Sequence, residues 1–113
     1  MKRIITALFC TLVTVNAGAA GNIGAGKALA EKYSCASCHG KDFSTPIDPS
    51  YPKLAGQHKD YLEHALVAYK RGDAANGRAN AIMGGQVKPL SRQDMKDLSA
   101  YLSSLPGTLV VHR

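Results

Sequence analysis

Cys35-Ala36-Ser37-Cys38-His39 is the stretch on which the interpretation of the whole chain depends. Two thiols three residues apart, followed at once by a histidine, form the C-x-x-C-H pattern of covalent c-type haem attachment. The two sulfurs can add to the two vinyl groups on one edge of a haem, and the imidazole of His39 can then reach the iron. The stretch therefore predicts one haem c, covalent through Cys35 and Cys38, with His39 as an axial ligand.

Two other kinds of site also use a C-x-x-C pair. A zinc site needs a second pair of cysteine or histidine ligands, and no cysteine follows Cys38. A thioredoxin-like redox pair needs a strand before it in a βαβ unit, and no strand pattern precedes Cys35. Neither alternative accounts for the histidine that directly follows the second cysteine, so haem attachment is favoured.

The first 20 residues have the features of a secretory signal peptide. Lys2 and Arg3 give a positive start, 4–15 is a mostly apolar run, and Ala17-Gly18-Ala19-Ala20 offers two small-x-small cleavage sites. The apolar run is too short to span a membrane. We therefore expect a signal peptide over 1–20, export to the periplasm, and no membrane span in the mature chain.

The mature domain, expected over 21–113, retains two of the three cysteines. Cys10 is interpreted as an ordinary signal-peptide residue, because Ala7-Leu8-Phe9 before it are not the small residues of a lipoprotein site. The closely spaced Cys35 and Cys38 leave the exported domain without a disulfide framework. A chain of this length buries a modest core, so a large apolar cofactor at its centre would also supply stability.

The chain is basic, with a formal net charge of +6 from 14 basic and 8 acidic residues. Without Lys2 and Arg3, 12 basic residues remain and the charge is +4, which two haem propionates would lower to about +2. A mildly basic surface can steer a protein toward acidic partners. The basic residues are scattered in sequence without interleaved aromatics, so we expect no nucleic-acid binding.

Apolar residues recur at helical spacing in three segments, and no strand pattern exceeds a few residues. We expect helices from about 24 to 34, from about 57 to Gly72, and from Ser91 to the Pro106-Gly107 stop. The region from 73 to 88 contains several glycines, so it is expected to be mostly irregular, with one short helix near 78–83. The fold class is therefore all-α.

The last helix carries a start signal of its own. Ser91-Arg92-Gln93-Asp94 resembles a capping box with Asp in place of the usual Glu. Leu90 before the cap and Met95 beyond it would form a hydrophobic staple.

The loop expected from 40 to 56 contains a candidate partner for the histidine of the motif. Pro46, Pro49 and Pro52 prevent a long helix there. An iron-bound histidine usually donates its other ring nitrogen to a carbonyl, and the Pro52 carbonyl is the candidate for His39. Leu54 would then pack on the haem. A simple turn over these residues is the alternative.

This chain resembles the class I c-type cytochromes. The resemblance depends on four features in order: the motif at Cys35, Pro52-x-Leu54, Met83 and the capped last helix. The chain is similar to the small soluble bacterial members and to one half of the tandem dihaem members, over about 24–105. The resemblance implies three to five helices wrapped around one covalently bound haem, with the first and last helices crossing at a small-residue contact. It places four residues at that contact: Gly26, Ala30, Leu98 and Tyr101.

The resemblance also implies His39 and Met83 as the two axial ligands of the iron. Met83 lies between Ile82 and two glycines, on what is expected to be a loop that crosses to the opposite face of the haem. The other methionine and histidine candidates are Met95, His58, His64 and His112. Met95 is accounted for by the staple. His58 and His64 are expected to face solvent on their helix, and His112 lies in the terminal tail.

The function implied by the resemblance is one-electron transfer without enzymatic bond chemistry. Both axial positions would be filled, so no substrate site is expected at the iron. The partners would be a reductase and a terminal oxidase or other acceptor, met transiently by a monomer. The alternatives are a haem subunit of a larger redox complex, or a five-coordinate haem protein that binds small gaseous ligands.

Overall fold

The computed structural model describes residues 20–108, and these contain five helices and no strand. The expected signal peptide, Cys10 and His112 lie outside the described residues. The helices are α1 (Ile23–Lys32), α2 (Ala36–His39), α3 (Lys59–Arg71), α4 (Ala81–Val87) and α5 (Arg92–Ser104). The all-α prediction is confirmed. None of these helices is both long and apolar enough to cross a membrane.

Helices α1 and α5 pack closely, and the contact is built on Gly26. A methyl group placed there would overlap the carbonyl oxygen of Asp97 and the Cβ atom of Tyr101, so only glycine allows this approach. Ala30 and Leu98 are both buried in the core cluster. The predicted small-residue contact between the first and last helices is therefore present.

Polar groups fix the ends of α1. The Asn22 side chain accepts a hydrogen bond from the Ala25 amide at 2.8 Å, and the Asn22 amide donates to the buried Asp97 carboxylate at 2.8 Å. The helix ends at Lys32, two residues earlier than expected, because Ser34 takes a left-handed conformation with φ of 52°. The first helix is thus capped locally and attached to the last one.

The prediction for the region 73–88 is wrong in two respects. The helix there is α4, which begins three residues later than expected and continues through Gly84 and Gly85 to Val87. The Asn80 side chain accepts a hydrogen bond from the Met83 amide at 2.9 Å, which caps the helix start. Each glycine costs about 1 kcal/mol relative to alanine inside a helix. Burial of Val87 in the core favours the helix despite that cost.

The start of α5 agrees with the expected capping box. The Asp94 amide donates to the Ser91 hydroxyl at 3.0 Å, and the Ser91 amide donates to the Asp94 carboxylate at 2.9 Å. Leu90 and Met95 are both buried in the core cluster, as a hydrophobic staple requires. The helix end at Ser104, just before Pro106-Gly107, also agrees with the prediction.

Helix α3 begins at Lys59 and ends at Arg71, and Gly72 caps it with a φ of 58° that suits glycine. His58, in an extended conformation, precedes the first turn, so the start lies two residues later than expected. His58 and His64 are exposed, as predicted. The side chain of Tyr61 is 49 % exposed.

Candidate haem-binding site

The short helix α2 positions the thiols and the imidazole of the motif. Cys35 caps the helix, and Cys38 and His39 lie within it. Both cysteines are free thiols, half-buried, and line the same cavity. Burial raises the pKa of the Cys35 thiol, although a backbone hydrogen bond partly offsets this. The two sulfurs therefore open into one space instead of being paired with each other.

The imidazole of His39 is buried and held in one orientation. Its Nδ1 atom lies 2.9 Å from the carbonyl oxygen of Pro52, which is the predicted hydrogen bond. A carbonyl can only accept, so Nδ1 donates the hydrogen of this bond and Nε2 is the ring nitrogen left to bind a metal. The Tyr51 ring lies beside the imidazole, with centroids 6.4 Å apart. His39 is thus prepared to act as a ligand through Nε2.

Two adjoining cavities meet at His39, and together we call them the crevice. Residues from the 40–56 loop and from α2, α3, α4 and α5 line both cavities. These residues are His39, Pro52, Leu54, Leu66, Tyr69, Met83 and Leu102. The walls are mainly apolar, and the groups on them that suit a haem iron include an imidazole nitrogen and a thioether sulfur. This donor set, with two thiols at one end, fits a covalently attached haem.

Among the candidates for a second axial ligand, the structure brings Met83 to the crevice. It lies in the first turn of α4, half-buried, and not on a loop as expected. Met95 is 2 % exposed in the helical core and lines neither cavity. The exposed His58 and His64 do not line the crevice either.

No sequence pattern indicates the stack of one guanidinium on two aromatic rings that borders the crevice. The Arg78 guanidinium lies over the rings of Tyr61 and Tyr69, 5.8 and 5.5 Å from their centroids. The turn after α3 folds back so that the Arg78 amide donates to the Ala68 carbonyl at 2.8 Å. Tyr61 and Arg78 both line the crevice, so the stacked pair forms part of its wall. Helical periodicity alone could not reveal a contact made by a residue outside the helix.

Comparison with known proteins identifies the family. The cytochrome c family model matches residues 23–106, which is most of the chain and includes the motif, the crevice and α5. This chain belongs to the cytochrome c family. Members of the family bind haem c covalently, and Cys35 and Cys38 have the required spacing before His39.

The relatives agree with the predicted resemblance to single-domain and tandem dihaem cytochromes. The chain is 38 % identical to cytochrome c4 of Stutzerimonas stutzeri, over 96 % of this chain and 53 % of that protein. It is 42 % identical to cytochrome c-554(547) of Halothiobacillus neapolitanus, over 76 % of this chain and 99 % of the relative. The crystal structure of reduced recombinant cytochrome c4 from Pseudomonas stutzeri matches with a TM-score of 0.67 and 36 % identity, over 80 % of this chain and 48 % of that one. The chain thus spans about half the length of the cytochrome c4 proteins that it matches.

Proposed function

We propose that this protein is a periplasmic one-electron carrier whose haem iron is ligated by His39 and Met83. The observation that carries the proposal is the crevice, which brings one imidazole, one thioether and two thiols to the same apolar space. The haem, when bound, supplies a ferric–ferrous couple. The chain would act as a monomer and meet a reductase and then a terminal oxidase or other acceptor in transient encounters.

The residues of the crevice have separate roles in this proposal. Pro52 fixes the ring of His39 through the Nδ1 hydrogen bond, as ligand histidines require. Leu54 lines both cavities and would pack on a bound haem, where with the other apolar walls it would exclude water. The neutral, soft sulfur of Met83 favours ferrous iron and raises the reduction potential. With both axial positions held by the protein, no site remains for a substrate, so the protein is not an enzyme.

Export accounts for where the haem would be attached. A signal peptide over 1–20 would deliver the domain over 21–113 to the periplasm. Intact mass after acid–acetone extraction tests the covalent bond, because a colourless protein of apo mass would exclude attachment through Cys35 and Cys38.

Spectra and voltammetry of the purified holoprotein test the function. A carrier with two axial ligands should give a reversible one-electron wave and should not bind carbon monoxide at neutral pH when reduced. Carbon monoxide binding by the reduced wild-type protein would instead indicate a five-coordinate gas-binding haem. Gel filtration of native extract tests the monomer, because elution at a much larger size would indicate a subunit of a redox complex.

A further inference from the structure

Three arginines that are far apart in sequence line one open cleft beside α3. Arg71 ends α3, Arg78 follows the turn, and Arg92 begins α5. His64 lies on the same wall, and we call the space bounded by these four residues the arginine cleft. Its volume is about 590 Å³, and none of its lining residues is acidic. The fold therefore gathers basic residues that appear scattered in the sequence.

Most of the positive charge of the cleft is uncompensated within the described residues. Arg92 pairs with Glu63 at 3.3 Å, and this is the only ion pair found between residues 20 and 108. Arg71 and Arg78 are exposed and form none there. A concave surface lined by one sign of charge concentrates the field and attracts opposite charge.

The arginine cleft and the crevice share part of one wall. Tyr61, Ala65 and Arg78 line both spaces. A group bound in the cleft would therefore lie one side-chain layer from the candidate haem site. Such closeness is useful for a surface through which an electron passes to or from a partner.

We propose that the arginine cleft is the docking site for a carboxylate-rich segment on the surface of a redox partner protein. The proposal rests on the proposed function as an electron carrier. Planar guanidinium groups bind carboxylates bidentately, and those of Arg71 and Arg78 have no acidic partner within the described residues. The cleft is much larger than a small inorganic anion, and its charges are exposed, as transient docking requires. Arg92 is 59 % exposed even while it is paired.

The test uses the reduced, isotope-labelled holoprotein and the peptide hexaglutamate at low salt. We expect the largest amide shifts at His64, at Arg71 and from 76 to 78. Arg71→Gln should weaken peptide binding about threefold and Arg71→Glu about tenfold, in keeping with the small contribution of an exposed charge pair. Salt of about 0.1 M should weaken the binding, because it screens the attraction between solvent-exposed charges.

The matched controls are Lys27→Gln and Lys27→Glu, which change the same charges on the exposed face of α1. Equal weakening by the Lys27 and Arg71 series would overturn the proposal, because binding would then reflect net charge alone. Absence of peptide binding would also overturn it. A third result would also overturn the proposal: Arg71→Glu loses binding to phosphatidylglycerol vesicles but binds the peptide as wild type does. The cleft would then face a membrane.

Voltammetry of each variant separates this proposal from the proposed function. Arg71 lines the cleft and not the crevice, so its variants should keep the wild-type potential. A reversible wave without localised peptide binding would reject the docking site alone. Loss of a reversible wave in the wild-type holoprotein would reject the carrier function, whatever the peptide result.

Discussion

The two methionines of the described chain differ in what their sulfur atoms face. Met83 borders the crevice, whereas Met95 is sealed in the core between helices. We expect Met83→Ala to lower the reduction potential, to let carbon monoxide bind the reduced protein, and to abolish the ferric methionine-to-iron charge-transfer band. These changes follow from loss of a soft ligand, and absorption spectroscopy with voltammetry would measure them.

Met95→Ala is the matched control for that prediction. It should cost about 2–5 kcal/mol of unfolding free energy, because a buried side chain is replaced by a cavity. Its absorption spectrum should not change. The opposite pattern in the two variants would show that the axial ligand is assigned to the wrong methionine.

Ser99 is a polar residue without a polar partner. Its side chain is completely buried, and its hydroxyl makes no hydrogen bond within the described residues. An unsatisfied buried hydroxyl contributes nothing that alanine lacks, so Ser99→Ala should leave the unfolding free energy unchanged or raise it by about 1 kcal/mol. Guanidinium unfolding of the oxidised holoprotein, compared with Ser103→Ala on the same helix, would measure this. A loss above about 1 kcal/mol would reveal a hidden hydrogen bond.

The contact between α1 and α5 depends on the missing side chain of Gly26. In Gly26→Ala the added methyl would meet the backbone of Asp97, which cannot rotate away. We expect a loss of about 2 to 3 kcal/mol in unfolding free energy, measured by thermal or guanidinium unfolding.

Gly24→Ala in the same helix is the control. A methyl there would lie 3.4 Å from the Asn22 side chain, an ordinary contact at an exposed position. It should raise stability by up to about 1 kcal/mol, because alanine favours the helix. Similar effects of the two substitutions would contradict the close packing of the helices.

The loop after His39 is held by the carboxylate of Asp42. This carboxylate accepts hydrogen bonds from the Ser44 amide and from the amide and hydroxyl of Thr45, at 2.9, 2.9 and 3.0 Å. These hydrogen bonds hold the pKa of Asp42 below its usual 3.8, and the bond from the Ser44 amide contributes most. A carboxyl group whose pKa is lower in the folded than in the unfolded chain stabilises the fold when the pH lies above the unfolded pKa. That stabilisation is lost as the pH falls below about 4.

Asp42→Asn should therefore lower the unfolding midpoint at neutral pH, and the difference from wild type should shrink as the pH falls below about 4. Asp73→Asn is the control, because that carboxylate accepts no hydrogen bond within the described residues. Guanidinium midpoints from pH 2 to 7 would measure both. Parallel curves for wild type and Asp42→Asn would contradict the assigned role of the carboxylate.

Helices with local start and stop signals were predictable from the sequence. The capping box at Ser91 and the left-handed Gly72 are examples, since each depends on residues within a few positions. Helix α4 was misjudged because Gly84 and Gly85 argue against a helix locally, while the burial of Val87 that favours it depends on the rest of the fold.

Across the whole molecule, contacts that local chemistry requires were easier to predict than contacts between residues of different elements. The contact between His39 and Pro52 was predictable, because ligand histidines need an acceptor and the loop that follows His39 supplies the candidate carbonyl. The convergence of Arg71, Arg78 and Arg92 was not, because nothing local brings residues of different elements together. The sequence therefore identified the chemistry of the site better than the surface around it.

The whole fold is expected to depend on its cofactor. Leu54, Leu66 and Leu102 come from different elements, yet all of them line the crevice, where the haem would be their common packing partner. Within the described residues, Cys35 and Cys38 are free thiols, so no disulfide holds these elements together there. Short helices are unstable in water without tertiary packing.

The double variant Cys35→Ala, Cys38→Ala, prepared without haem, should therefore show much less helix by circular dichroism at 222 nm. Alanine is a better helix former than cysteine, so helix propensity cannot explain such a loss. Added haemin should restore part of the signal, because His39 and the apolar walls remain in this variant. A cooperative, native-like melt before haemin is added would show that the polypeptide core is sufficient and that the crevice is preformed without its cofactor.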